Sequence, residues 1–81
     1  LWILQECRRA WDVPFEELYA AAEQVGEAPA RFDVDDPVFL APGTDMPERI
    51  ILVAKLGAVL ASKSESERRG IIVRCLLESL A

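Results

Sequence analysis

Two cysteines, three clustered aspartates and one glycine turn are the residues whose types could do chemistry here, and none completes a site. Cys7 and Cys75 lie far apart, each inside an apolar helical pattern and without Cys-x-x-Cys spacing. That pattern suits buried free thiols in a cytosolic protein better than a disulfide, and two distant thiols cannot build a four-ligand zinc centre. Asp33, Asp35 and Asp36 suggest a cation loop. However, an EF-hand needs alternating ligands, a central Gly and a closing Glu, and all of these are missing. Asp36 before Pro37 reads instead as a turn or cap. Pro42-Gly43-Thr44 holds one glycine and no following Lys-Ser/Thr, so it is not a phosphate loop.

The absences are sharper still. There is no histidine, which excludes the ordinary Ser-His-Asp and Cys-His arrangements and any His-bearing zinc site. None of the 14 carboxylates is paired in a way that singles out a general base. The residues by themselves therefore predict a helical module with no catalytic residue and no metal ligand.

The elements that would position these groups are helices. Leu1, Leu4, Cys7 and Trp11, flanked by Ile3 and Ala10, form one apolar stripe and predict a helix over 1–12. Gln5, Glu6, Arg8 and Arg9 share its other side. Trp2 falls on that polar side, near Glu6 and Arg9, which predicts a second packing surface. Pro14 opens a second helix over 14–25, with Glu16 and Glu17 at the positive end of its dipole. Phe15, Leu18, Tyr19, Ala22 and Val25 are its expected buried stripe, and Gly26 its left-handed stop.

A long loop over 27–45 follows, carrying Pro29, Pro37 and Pro42, with Phe32, Val38, Phe39 and Leu40 as its expected anchors. Asp45-Met46-Pro47-Glu48 reads as a capping box opening a third helix over 46–56, which ends at Gly57 or continues to Ala61. Ser64-x-x-Glu67 is a second capping box, and the last helix, 64–81, sets Ile72, Cys75, Leu76, Ser79 and Leu80 on one face. The fold class is thus all-α, with about four helices.

The totals narrow the partners. With 81 residues there is one small domain whose core would be marginal alone. A net charge of −5 disfavours nucleic acid, because Arg8–Arg9 and Arg68–Arg69 are short pairs among acidic neighbours. The richest apolar run, 50–61, is interrupted by Lys55 and falls short of the ~20 residues of a membrane span. Both ends cut into amphipathic pattern without cap or stop, which predicts a segment of a longer polypeptide.

Three strings carry a resemblance. LWILQECRRAW, then DVDDPVFLAPGTDMPERI, then IVRCLLESLA resemble, in that order, the rhamnulokinase branch of the FGGY carbohydrate kinases. The resemblance implies two actin-like (ribonuclease H-like) α/β domains around a cleft, moving the γ-phosphoryl of ATP onto a sugar hydroxyl with Mg²⁺. The implied reaction takes L-rhamnulose to L-rhamnulose 1-phosphate in the cytoplasm. This chain would be the helical part of the C-terminal domain, with the catalytic Asp upstream and the Gly-rich nucleotide loop downstream. The isolated segment is expected to be inert and to bind ATP weakly or not at all. Its partners would be ATP, the sugar and the remaining kinase domains, with no nucleic acid and no membrane.

One site position carries over by the resemblance: Gln5, in the W-x-L-Q helix, would contact ATP. Its amide both donates and accepts, so it would orient the nucleotide rather than react. The chain departs from the family's pattern at the apolar run Ile51 to Leu60, at Ala58 to Arg69 where a Pro-containing linker is missing, and at one extra residue in Gly43-Thr44-Asp45. Two rival readings stand beside the kinase. One is a free-standing acidic helical interaction module, using Trp2 and the Ile51–Leu60 face, that unfolds cooperatively as a lone monomer. The other is a kinase for another sugar or polyol. The kinase segment, by contrast, is expected to be molten or self-associating alone.

Overall fold

The computed structural model describes residues 2–41 and 45–80; Leu1, the Pro42-Gly43-Thr44 turn and Ala81 lie outside the described residues. Among the described residues there are five α-helices, one short 3-10 helix and no strand.

Helix α1, Trp2–Trp11, buries Ile3, Leu4 and Cys7 and turns Gln5, Arg9 and Ala10 to solvent. It stops at Asp12, whose φ of 55° is left-handed and whose N–H donates to the Arg8 carbonyl at 2.8 Å. Asp tolerates this conformation better than most residues, because its short polar side chain can bond locally. Helix α2, Phe15–Val25, follows Pro14 and buries Leu18 and Ala22. Tyr19, expected in the buried stripe, is instead 42% exposed. It sits at the stripe's edge, stacked on Phe15 with centroids 6.2 Å apart. Gly26 does adopt a positive φ of 81°, but with ψ −72°. Glu27 N–H donates to the Val25 carbonyl at 3.0 Å, so α2 ends in a γ-turn that glycine admits, not in a left-handed cap.

The long loop contains a 3-10 helix, Pro37–Phe39, capped by the Asp36 carboxylate, which accepts from Val38 N–H at 2.9 Å. Phe39 is its principal anchor, 1% exposed, with the half-buried Phe32 ring tilted against it at 5.5 Å. Burying a Phe side chain is worth about 2–3 kcal/mol. Leu40 is not an anchor: it stands 75% exposed, because the 3-10 turn that buries Phe39 points its neighbour outward.

Helix α3, Met46–Val53, buries Met46, Pro47 and Ile50. The expected Asp45 capping box does not close; Asp45 makes no side-chain cap bond, and Pro47 offers no N–H. Its carboxylate pairs with Arg49 instead, at 2.7 Å. The helix also ends earlier than Gly57. Lys55 takes φ 57°, Leu56 N–H donates to Ile51 O (2.9 Å) and Lys55 N–H to Leu52 O (3.3 Å). This is a Schellman stop with lysine where glycine is usual. A one-turn helix, α4, Gly57–Leu60, then buries Leu60, while Leu52 and Val59 face solvent.

Helix α5, Glu65–Leu80, is the spine. The Ser64 box closes as expected: Ser64 N–H donates to Glu67 Oε1 at 3.0 Å and Glu67 N–H to Ser64 Oγ at 3.3 Å. Beyond the expected Ile72, Cys75 and Leu76, it also buries Ile71 and Val73, so its buried surface is wider than one stripe, and both α2 and α3 pack against it. Ser79 is half-buried, and Leu80 is 43% exposed. Gly70 is where α2 comes nearest. A Cβ there would stand 2.5 Å from the Ala21 carbonyl oxygen.

Candidate functional site

Gln5 is placed on the outward face of α1, opposite the buried Ile3, Leu4 and Cys7. Its side chain makes no hydrogen bond among the described residues, so both ends of the amide are available. One helical turn either way lie Trp2 and the Arg8–Arg9 pair. Arg9 is tied to Glu6 at 3.2 Å. Arg8 places its guanidinium 5.3 Å from the Phe15 ring centroid, a cation–π contact that joins α1 to α2. Gln5 therefore has an aromatic and two arginines as helix neighbours, and both guanidinium groups are already engaged, Arg9 by Glu6 and Arg8 by the Phe15 ring.

Among the described residues a cleft and a groove stand out on the surface, and Gln5 lines neither. A cleft of about 530 Å³ lies between α2 and the start of α5, bordered by Gln24, Lys63, Ser66 and Glu67. A smaller groove of about 220 Å³ is lined by Trp2, Ile3, Val34, Leu40, Leu76 and Leu80 among others.

The cysteines are removed from chemistry. Cys7 and Cys75 are free and buried. Burial, then Glu48 and Glu6, push the Cys7 thiol up to about 12. Burial also raises Cys75, while a backbone hydrogen bond with Ala30 pulls it partly back. A thiol kept protonated is a poor nucleophile and a poor metal ligand. Among the described residues no three Cys, Asp or Glu side chains gather as metal ligands. The aspartates are used locally: Asp33 Oδ1 accepts from Asp35 N–H at 2.9 Å, and Asp36 caps the 3-10 helix.

Several positioning residues were not singled out by sequence reasoning. Glu78 on α5 accepts from Ala28 N–H (3.1 Å) and from Arg74 Nε (2.8 Å), and faces Arg31 at 3.7 Å. Those bonds, Arg74 first and then Ala28, hold its carboxyl below the usual range. Ser79 Oγ accepts from Phe32 N–H, and Arg49 donates to the carbonyls of Val38 (3.3 Å) and Ala41. Only the i,i+4 spacings Arg74–Glu78 and Asp45–Arg49 hinted at this from sequence. The loop partners are long-range and left no local signal.

Over its whole length the chain is similar to a rhamnulokinase from Bacteroides thetaiotaomicron, 33% identical across 82 aligned residues. The chain spans 16% of that relative's length. No family model matches, and no solved structure matches. No described helix is long and apolar enough to cross a membrane.

Proposed function

We propose that this chain is the helical segment of the C-terminal actin-like domain of an ATP-dependent sugar kinase, and that Gln5 is its contact with the nucleotide. The observation that carries the reading is the end-to-end similarity to one stretch of a rhamnulokinase. The structure adds support at one point: Gln5 is exposed and unbonded on a helix whose other face is packed. The preferred sugar is a ketose, L-rhamnulose, converted to its 1-phosphate in the cytoplasm.

The division of labour follows from the residues present. The Gln5 amide suits a nucleotide contact, because it can donate to a phosphate or ribose oxygen and accept from a base amine. Mg²⁺ would neutralise the phosphates; among the described residues no three carboxylates gather around a metal position, and this reading assigns its ligands to the rest of the kinase. The segment's own task is to supply a rigid wall that closes on the nucleotide and helps exclude water.

The test is ADP release by the protein encoded by the complete gene, over a panel of ketoses and glycerol. L-Rhamnulose should be the preferred substrate. Gln5→Ala should raise KM for ATP about threefold to tenfold, the cost of one modest hydrogen bond, and leave KM for the sugar unchanged. Turnover of a different ketose or of a polyol points to the sister kinase reading, and no turnover at all sinks the proposal.

One observation favours the interaction-module reading. The chain closes a core of its own around Leu4, Leu18, Phe39, Met46, Ile50 and Leu76. Cooperative unfolding therefore does not separate the two readings, and the ADP assay does.

A further inference from the structure

Trp2 is the largest of the exposed apolar side chains among the described residues, and its exposure is out of character. Tryptophan brings a large apolar surface and is highly buried on average in folded chains. Trp11 follows that rule, half-buried and packed against the core. Trp2 instead stands 45% exposed on the face of α1 that also holds Gln5 and Arg9, opposite Ile3, Leu4 and Cys7. Trp2 and Gln5 are spaced i,i+3, which sets their Cβ atoms about 5–6 Å apart on one helix surface. An open two-ring π-face thus stands beside an amide whose two ends are unbonded among the described residues.

We propose that Trp2 and Gln5 together bind the adenine base of the nucleotide, Trp2 as the stacking platform and Gln5 as the reader of the base edge. The inference rests on the kinase reading and narrows the Gln5 contact from the whole nucleotide to its base. Indole and purine are both flat pairs of fused rings, and offset stacking leaves the purine edge within reach of the residue one turn on. On that edge adenine offers an amine donor beside a ring-nitrogen acceptor, and a Gln amide answers both at once. Guanine offers two acceptors there, which leaves the amide oxygen facing another oxygen or nitrogen lone pair. Glu6, the helix neighbour that could accept from guanine's own donors, is already held by Arg9 at 3.2 Å. The pair therefore selects purine over pyrimidine by stacked area, and adenine over guanine by the amide.

The experiment is steady-state phosphorylation of the preferred sugar by the protein encoded by the complete gene, with ATP, GTP and CTP as donors. Trp2→Leu should raise KM for ATP about fivefold to twentyfold, the loss of one base stack, with kcat and the sugar KM unmoved. Trp2→Phe, which keeps a π-face, should recover most of that loss. The preference for ATP over CTP should shrink in Trp2→Leu, and the preference for ATP over GTP in Gln5→Ala. A merely structural Trp2 raises all three nucleotide KM values by one factor, or moves kcat alone, and either result overturns the proposal. Equal KM values for Trp2→Leu and Trp2→Phe overturn it too. Should Trp2→Leu fail to fold, tryptophan emission decides: ADP should quench the parent protein more than Trp2→Phe, and equal quenching sinks the stack. Sugar phosphorylation with unchanged nucleotide KM values in the variants sinks the base contact alone. Quenching that depends on Trp2, without turnover of any sugar, sinks the kinase alone.

Discussion

The Ser79 hydroxyl accepts the backbone N–H of Phe32 at 3.0 Å while giving its own proton to the Cys75 carbonyl at 2.7 Å. One side chain at the end of α5 thus ties the long loop to the central helix, next to the Glu78 bond that Ala28 makes one residue earlier. The loop is therefore held at Ala28 and Phe32 by α5 and at Val38 and Ala41 by Arg49 of α3.

Ser79→Ala should leave Phe32 N–H without its acceptor and cost about 1–2 kcal/mol, the usual penalty for a half-buried donor. The check is the urea midpoint of the 81-residue chain, with amide exchange at Phe32 as the local readout. Exchange should speed up more at Phe32, which also gains a local opening, than at Ile72, which follows the global loss alone.

Glu78 predicts a pH dependence. Its carboxyl is held below the ordinary 4.5 by Arg74 and Ala28, so the unfolded chain takes up its proton first. The stabilisation is therefore present above about 4.5 and is lost as pH falls through the folded value. Glu78→Gln should lower the urea midpoint at pH 7 and differ less from the parent chain near pH 3. Glu67, lowered by its Ser64 bonds, shares this acid limb and should keep part of it in the variant.

Gly70→Ala should destabilise the chain by about 2–3 kcal/mol, as overpacking does at sites that cannot yield. The added methyl would meet the Ala21 carbonyl oxygen at 2.5 Å, which is backbone and fixed by α2. Ala21→Gly should rescue little of it, since the severe contacts are with the Ala21 backbone, O at 2.5 Å and C at 2.8 Å, and the Cβ at 3.2 Å is the lesser one. Thermal melts of the single and double variants decide the matter.

Lys55→Gly should do the reverse. Lysine at φ 57° in the α3 stop carries a left-handed penalty of about 1 kcal/mol that glycine avoids. Part of that gain is offset by glycine's freer unfolded state, so a rise of roughly 0.5 kcal/mol is expected. A fall in melting temperature would contradict the assigned stop.

The thiols give a fifth readout. Cys7 keeps its proton to about 12, whereas an unfolded thiol loses it near 9. Stability should thus be unaffected below 9 and fall as pH rises past it, with a shallower slope in Cys7→Ala. Neither thiol should react with a disulfide reagent at pH 8 until urea is added.

Much of the helical fold was legible because helix signals are local. The 3.6-residue stripe in α1, Pro14 before α2 and the Ser64–Glu67 box each need only a few neighbouring residues to be read. The outward placement of Gln5 followed from the same periodicity. Its role did not, since an exposed amide looks the same with or without a nucleotide beside it. Leu40 and Tyr19 went the other way, because apolar character alone does not say which side of a loop or stripe meets the core; the stop at Lys55 was missed because a lysine carries no left-handed signal.

The sequence by itself determined where α1, α2 and α5 lie, the acidic charge and the buried thiols, since these depend on residue types and short spacings. Tertiary structure alone decided that α5 is enclosed on several sides, that Gly70 permits the close approach of α2, and that Glu78, Ser79 and Arg49 hold the loop. Those relationships join residues distant along the chain, where burial and hydrogen-bond satisfaction are settled only when the helices meet.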